Sequence, residues 1–209
     1  MRKMMFIAAM ALVLTAFAFT YAAPDKSKQH HVGAFTLKKL ITTYKGDGTT
    51  EVRRSIYRRA SDGSFRIVDT DGKTILMDRG FSQGRGYFHV DYATKTLWRD
   101  TTQKPDRDPM PVVSPDVYTK DSNYAGTDTI LGRTAYHLRL PGSVEGSVDA
   151  DIWFLPEIGL SIKELSYRPD GSLSLTEEAY SLEVEEPDPQ LVRLPDFAAV
   201  DDMRDEKSR

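Results

Sequence analysis

The chain has 209 residues, 40% hydrophobic and 28% charged, with a formal net charge of −3 and no cysteine. That is one domain's worth of chain, enough for a core of its own. The mild acidity excludes the electrostatic footprint of a nucleic-acid binder, and the missing cysteine excludes a thiol nucleophile, a cysteine metal site and a lipidated cysteine.

Residues Met1 to Ala23 read in three parts: Arg2 and Lys3, an apolar stretch from Phe6 to Phe19, then Thr20-Tyr21-Ala22 with small residues at the −3 and −1 positions of a cleavage site. The apolar stretch falls short of the roughly 20 residues a spanning helix needs. Residues 1–22 therefore read as a cleaved signal peptide rather than an anchor, with the cut between Ala22 and Ala23. A cut after Ala23 would place Pro24 at +1 and Tyr21 at −3. Loss of Arg2 and Lys3 takes the net charge from −3 to −5. The expectation is a soluble periplasmic or secreted protein with no transmembrane segment in the mature chain. Residues 23–31 form a polar leader, 32–197 a single β domain, and 198–209 a charged, fraying tail with a helical turn at Ala198 to Arg204.

From Val32 onward short alternating runs are broken by Asp47-Gly48, Asp62-Gly63, Asp71-Gly72 and Asp170-Gly171. Asp-Gly between such runs signals a hairpin, because primed turns need φ > 0. Phe65 and Ile67 oppose Ser64 and Arg66. Phe88, Val90 and Tyr92 oppose His89 and Asp91. Tyr136, Leu138 and Leu140 oppose His137 and Arg139, and Val148, Ala150, Ile152 and Phe154 oppose Asp149 and Asp151. Tyr180, Leu182 and Val184 oppose Ser181, Glu183 and Glu185. A period of two with one apolar face is a half-buried antiparallel strand. The apolar parity changes between Leu175 and Tyr180, which calls for a β-bulge near Glu177 to Ala179.

About ten such runs suit a mainly β fold, an antiparallel curved sheet or incomplete β-barrel. At most one or two short helices accompany it. Gln103 to Ser114 reads as a long loop rich in Pro and Asp. Asp116 to Tyr124 holds a short helix, with Ser114 or Asp116 near its start.

Chemistry is sparse. There is no Gly-x-Ser-x-Gly elbow, and Gly142 to Gly146 reads as a hairpin loop. No paired-His spacing exists. His30 and His31 fall in the leader, and His89 and His137 read as exposed or partly exposed strand residues. Asp69 to Gly72 opens like a calcium loop but lacks the distal ligands, so it reads as a hairpin. Asp149 and Asp151 share a solvent face without an evident partner. Glu177 and Glu178 read as a solvated edge. Catalytic, cofactor and metal sites are therefore expected to be none. The aromatics are the informative set. Phe65, Phe88, Tyr136, Trp153, Phe154 and Tyr180 are candidates for a ligand-binding face, weighed against the core packing that aromatics supply in any β domain.

The run Leu131-Gly132-Arg133-Thr134-Ala135-Tyr136-His137-Leu138 leads to Asp151-Ile152-Trp153-Phe154-Leu155-Pro156-Glu157-Ile158-Gly159-Leu160. An Asp-Gly hairpin, Glu186-Pro187-Asp188-Pro189 and Leu194-Pro195 follow. This text, covering about half of the mature chain, resembles the outer-membrane lipoprotein-sorting (LolA-like) superfamily, especially its uncharacterised exported bacterial members. The resemblance implies an incomplete barrel with a concave apolar face, a helical lid, and a lipid or lipoprotein acyl chain held between them in carrier members. Carriers begin with an amphipathic helix, for which the leader is too short and polar. The loop from Gln103 to Thr129 is then the candidate lid. The expected function is non-enzymatic binding of a lipid or lipid-modified partner on the concave face. The alternative is a protein-interaction or sensor module with an exported protein partner and no lipid ligand.

Overall fold

Two meanders joined at a single seam make up the sheet. The computed structural model describes residues 32–82, 84–101, 112–142 and 148–201. The Ala22–Ala23 cleavage site, the leader, residues 102–111 of the long loop, residues 143–147 and the chain beyond 201 lie outside the described residues.

The first meander is β1 (Phe35–Tyr44), β2 (Thr50–Arg59), β3 (Phe65–Thr70), β4 (Ile75–Ser82), β5 (Gly86–Asp91) and β6 (Thr96–Arg99). Helix α1 (Pro115–Thr119) follows. The second meander is β7 (Tyr124–Ile130), β8 (Arg133–Pro141), β9 (Val148–Leu155), β10 (Leu160–Tyr167) and β11 (Leu173–Glu183). Helix α2 (Pro189–Val192) and β12 (Ala198–Asp201) close the described chain. The order across the sheet is β12-β6-β5-β4-β3-β2-β1-β11-β10-β9-β8-β7. The end strands β12 and β7 lie eleven positions apart in that order, so the curved sheet stays open. All pairs are antiparallel except β12 with β6.

The hairpin signals are met with a refinement. Gly48, Gly63, Gly72 and Gly171 all have positive φ, between 81° and 92°. The aspartates before them do not, so these are turns with a single left-handed glycine rather than two-residue primed turns. Each aspartate carboxylate accepts a backbone N–H two residues on, as Asp47 does from Thr49 at 2.9 Å. Leu131-Gly132 is the two-residue case, with φ of 52° and 72°.

Several expectations are corrected. The bulge falls at Tyr180, one residue beyond the predicted stretch, where Ala179 and Ser181 face consecutive residues Lys39 and Lys38. Tyr180 therefore does not share a face with Leu182: it is 49% exposed, while Leu182 packs on the core. Glu177 is no edge residue. It sits on the central strand β11 and pairs with Lys39 at 3.3 Å, both side chains largely buried. Residues 198–201 form a strand rather than a helical turn, so the sheet runs past the boundary drawn at 197. The stretch read as a lid ends earlier, because 124–130 is edge strand β7. Helix α1 is the expected short helix, with Ser114 as its N-cap residue and Pro115 in the first turn, where its missing N–H costs nothing.

A second, smaller core anchors the C-terminal segment. Phe88, Leu97 and Leu194 are at most 4% exposed and pack together. Gly80 is required there, since a Cβ would meet the Phe65 carbonyl oxygen at 2.3 Å and the Leu194 side chain at 3.2 Å. Beside it Asp78 is buried. Its carboxylate accepts from Arg66 Nη2 and from the Tyr92 hydroxyl, each at 2.6 Å, and Arg66 also donates to the Arg193 carbonyl at 3.0 Å. A buried carboxylate is tolerated only with such partners. Replacing Asp78→Ala should lower unfolding free energy by about 3 kcal/mol, read as a lowered denaturation midpoint, and should loosen the α2–β12 segment first in hydrogen exchange.

Candidate functional site

Directly paired residues of antiparallel strands point to the same side, so register alone sorts the sheet's two faces. Helix α1 marks one of them. Tyr118, its buried residue, stacks on Tyr136 and on Phe154, both at 5.5 Å between centroids. Burial pushes the Tyr118 hydroxyl up to about 12. Following partners from Leu138 through Ile152, Glu164 and Glu177 leads to Ile41, and so to Phe35 and Leu37 on the same face.

On this helix face one cross-strand row runs Phe35, Arg59, Phe65, Phe81, Tyr87, from β1 to β5. Tyr57, one step along β2, bridges it, with its ring 5.1 Å from Phe35 and 5.3 Å from Phe65. Phe65 reaches Phe81 at 6.2 Å and Tyr87 at 5.9 Å, and Phe81 meets Tyr87 at 4.8 Å. Offset and edge-on contacts of this kind each add about 1 kcal/mol beyond burial. Phe35 and Phe81 are buried, whereas Tyr57, Phe65 and Tyr87 keep partial exposure.

The opposite face carries a polar cluster. Asp151 is 4% exposed. Its Oδ1 lies 2.6 Å from His137 Nε2 and accepts from Arg139 Nε at 2.9 Å, and its Oδ2 accepts from the Tyr167 hydroxyl at 3.0 Å. The His137 ring stacks on Trp153 at 4.2 Å, nearly parallel, and Lys163 Nζ stands 4.7 Å from the same indole. Trp153 Nε1 donates to Asp128 at 2.5 Å. The expectation of an unpartnered Asp151 is thus corrected, while His137 is the partly exposed strand residue expected, with Asp151 as its partner. Both faces of β9 are covered, and the acids that alternate with its apolar residues have different fates: Asp149 is exposed, Asp151 enclosed. Among the described residues no serine, threonine or further acid completes a nucleophile or metal arrangement around His137.

The six aromatic candidates do not converge. Phe65, Tyr136 and Phe154 lie on the helix face. Phe88 and Tyr180 lie on the other, in the small core and at the exposed bulge respectively, while Trp153 joins the Asp151 cluster and also packs into the main core with Phe35 and Leu37. A shallow groove of about 450 Å³, lined by Leu40, Arg54, Glu178, Ala179 and Tyr180, is on that opposite face too. The sequence does not single out Phe35, Tyr57, Arg59 or Phe81. The alternation of Phe35, Leu37 and Ile41 was a usable signal. The β2 text Thr-Glu-Val-Arg-Arg-Ser-Ile-Tyr-Arg-Arg was not, because it places charges on both faces.

No protein-family pattern and no curated sequence matches the chain. Solved structures do. An uncharacterised conserved protein from Thermus thermophilus is similar at 12% identity and a TM-score of 0.51, over 82% of this chain and 91% of that one. A chain of the Pseudomonas aeruginosa MucA/MucB complex follows at 18% identity and a TM-score of 0.48, over 78% of this chain and 56% of that one, so this chain spans little more than half its length. A LolA superfamily protein from Nitrosomonas europaea is similar at 10% identity and a TM-score of 0.35, over 79% and 92%.

Asp151 gives a pH signature. Burial raises its carboxyl pKa, but the hydrogen bonds from Arg139, His137 and Tyr167 outweigh this and leave it below its ordinary 3.8. A carboxylate whose folded pKa is depressed stabilises above the unfolded value, and that stability disappears as pH falls through the folded one. Asp151→Asn should therefore cost roughly 2 kcal/mol at pH 7, and the gap to the parent protein should narrow below pH 3.8. Denaturant titrations at several pH values check this; a gap independent of pH would contradict it.

With 12% identity the likeness to the Thermus protein is one of fold: this chain is an open, curved, mostly antiparallel sheet with two short helices.

Proposed function

We propose that the chain is an exported, non-enzymatic binding protein that holds an apolar chain, from a lipid or a lipid-modified partner, against the helix face of its open half-barrel. The observation that carries the reading is the aromatic row from Phe35 to Tyr87 with Tyr57 beside it. It is contiguous over five strands and partly exposed. Apolar ligands are held by lining of this kind, with few polar groups to orient them. The leader pattern at Met1 to Ala22 supports export, and no helix among the described residues is long and apolar enough to cross a membrane.

Uptake of a fluorescent fatty acid by protein purified from the periplasm tests the reading. Phe65→Glu should weaken uptake about tenfold or more, since a charge cannot enter an apolar site without a large desolvation cost. Tyr180→Glu, on the other face, should leave it unchanged. Thermal melting checks that both variants fold. No uptake, together with no lipid seen by native mass spectrometry, would sink the idea. Exported protein should also begin at Ala23 by intact mass.

A second reading, a protein-interaction module without lipid, draws on the groove at the bulge, where Leu40 is 39% and Tyr180 49% exposed. Periplasmic crosslinking that captures a partner lost in Tyr180→Glu, and kept after delipidation, would favour it.

A further inference from the structure

The row on the helix face has one member that is not aromatic. Arg59 stands between Phe35 and Phe65 as the direct cross-strand partner of both. It is only 4% exposed. Its Nε is buried with no hydrogen-bond partner, and among the described residues no carboxylate lies within ion-pair distance of it. Glu186, which reaches the same β2–β3 turn, is engaged instead by the Ser61 N–H, at 3.2 Å to each oxygen. Arg59 ends β2, and a Cβ added at Gly63 would sit 3.6 Å from its Nη2, so the guanidinium lies under the hairpin turn at the rim of the sheet. The Tyr57 hydroxyl, on the same face, hydrogen-bonds the Arg59 side chain, a neutral partner that leaves the guanidinium charge unmatched.

Guanidinium cannot shed its proton to escape burial. An uncompensated buried charge is among the costliest features a fold can keep, and buried polar groups left unpaired call for a missing partner. The fork of N–H donors matches a carboxylate or phosphate bidentately. From the arginine, Phe65, Phe81 and Tyr87 carry the row across three strand spacings, about 14 Å.

We propose that Arg59 is the headgroup anchor of an acidic amphiphile, a carboxylate or phosphate seated on the guanidinium with its apolar chain along Phe65, Phe81 and Tyr87. The assignment rests on the binding reading above and adds to it the class of ligand: anionic, single-chain and entering head-first at the β2–β3 rim.

Binding of palmitate, methyl palmitate and a lysophosphatidic acid to the mature full chain, by displacement of a fluorescent probe, tests it. Palmitate and the lysophosphatidic acid should bind about tenfold or more tighter than the ester, the worth of a hydrogen-bonded charge; whichever acid binds tighter names the head. Arg59→Met should erase that preference by bringing acid affinity down to the ester's, and Arg59→Lys should restore part of it. The melting temperature of Arg59→Met without ligand should not fall, since no counter-charge is left behind. Equal binding of acid and ester by the parent chain overturns the anchor and leaves the apolar-binding reading standing. A preference that survives in Arg59→Met also overturns it. If none of the three binds, both fall together.

Discussion

Everything in this sheet depends on the pairing of β1 with β11. The chain lays down two meanders, β1 to β6 and β7 to β11, and only that pairing joins their eleven strands into one sheet, to which β12 adds a twelfth beside β6. Its partners are far apart in sequence; Lys38 meets Glu183 and Lys39 meets Glu177 across the seam. Closing such a long loop is costly in chain entropy before any contact offsets it. The compensation is local and apolar: Phe35, Leu37, Ala179 and Ile162 are among the most buried side chains of the main core and flank this junction. The Lys39–Glu177 pair within that face is enclosed enough that each charge needs the other.

The bulge at Tyr180 decides which side chains that seam presents to each side. One extra residue in β11 lets Leu175, Ala179 and Leu182 all lie with the core face although their spacing changes parity. Its by-product is an exposed tyrosine and a shallow groove on the other face. A second irregularity, at Ile162 in β10, does the same between β9 and β10, and there the extra residue is fully buried. Bulges also bend the strands that carry them, which suits a sheet that curves without closing.

Polar groups are enclosed on both sides, and they fall into two kinds. Asp78 and Asp151 each collect a guanidinium and a tyrosine hydroxyl, and Asp151 adds a histidine. Each ties neighbouring strands or the C-terminal segment to the sheet, and a fully satisfied network of this kind makes buried charge tolerable in a β protein. Arg59 differs in having aromatic rings where those networks have a counter-charge. That contrast sets Arg59 apart from the satisfied networks of Asp78 and Asp151.

Much of the local structure is written in the sequence by itself. Asp-Gly pairs set the hairpins because glycine alone enters the left-handed region without strain, Ser114-Pro115 starts α1, and the period-two runs from Phe65 to Tyr180 mark most strands. The parity change before Tyr180 even announces a bulge to within a residue. Tertiary structure decided the rest. A period of two says that Trp153 and Phe154 point to opposite sides, but not that both sides are covered. The enclosure of Asp151 depends on His137, Arg139 and Tyr167 from neighbouring strands. Equally, nothing local in β2, charged on both faces, says that Arg59 will be drawn between Phe35 and Phe65. Only strand register, a long-range property of the folded sheet, puts those three side by side.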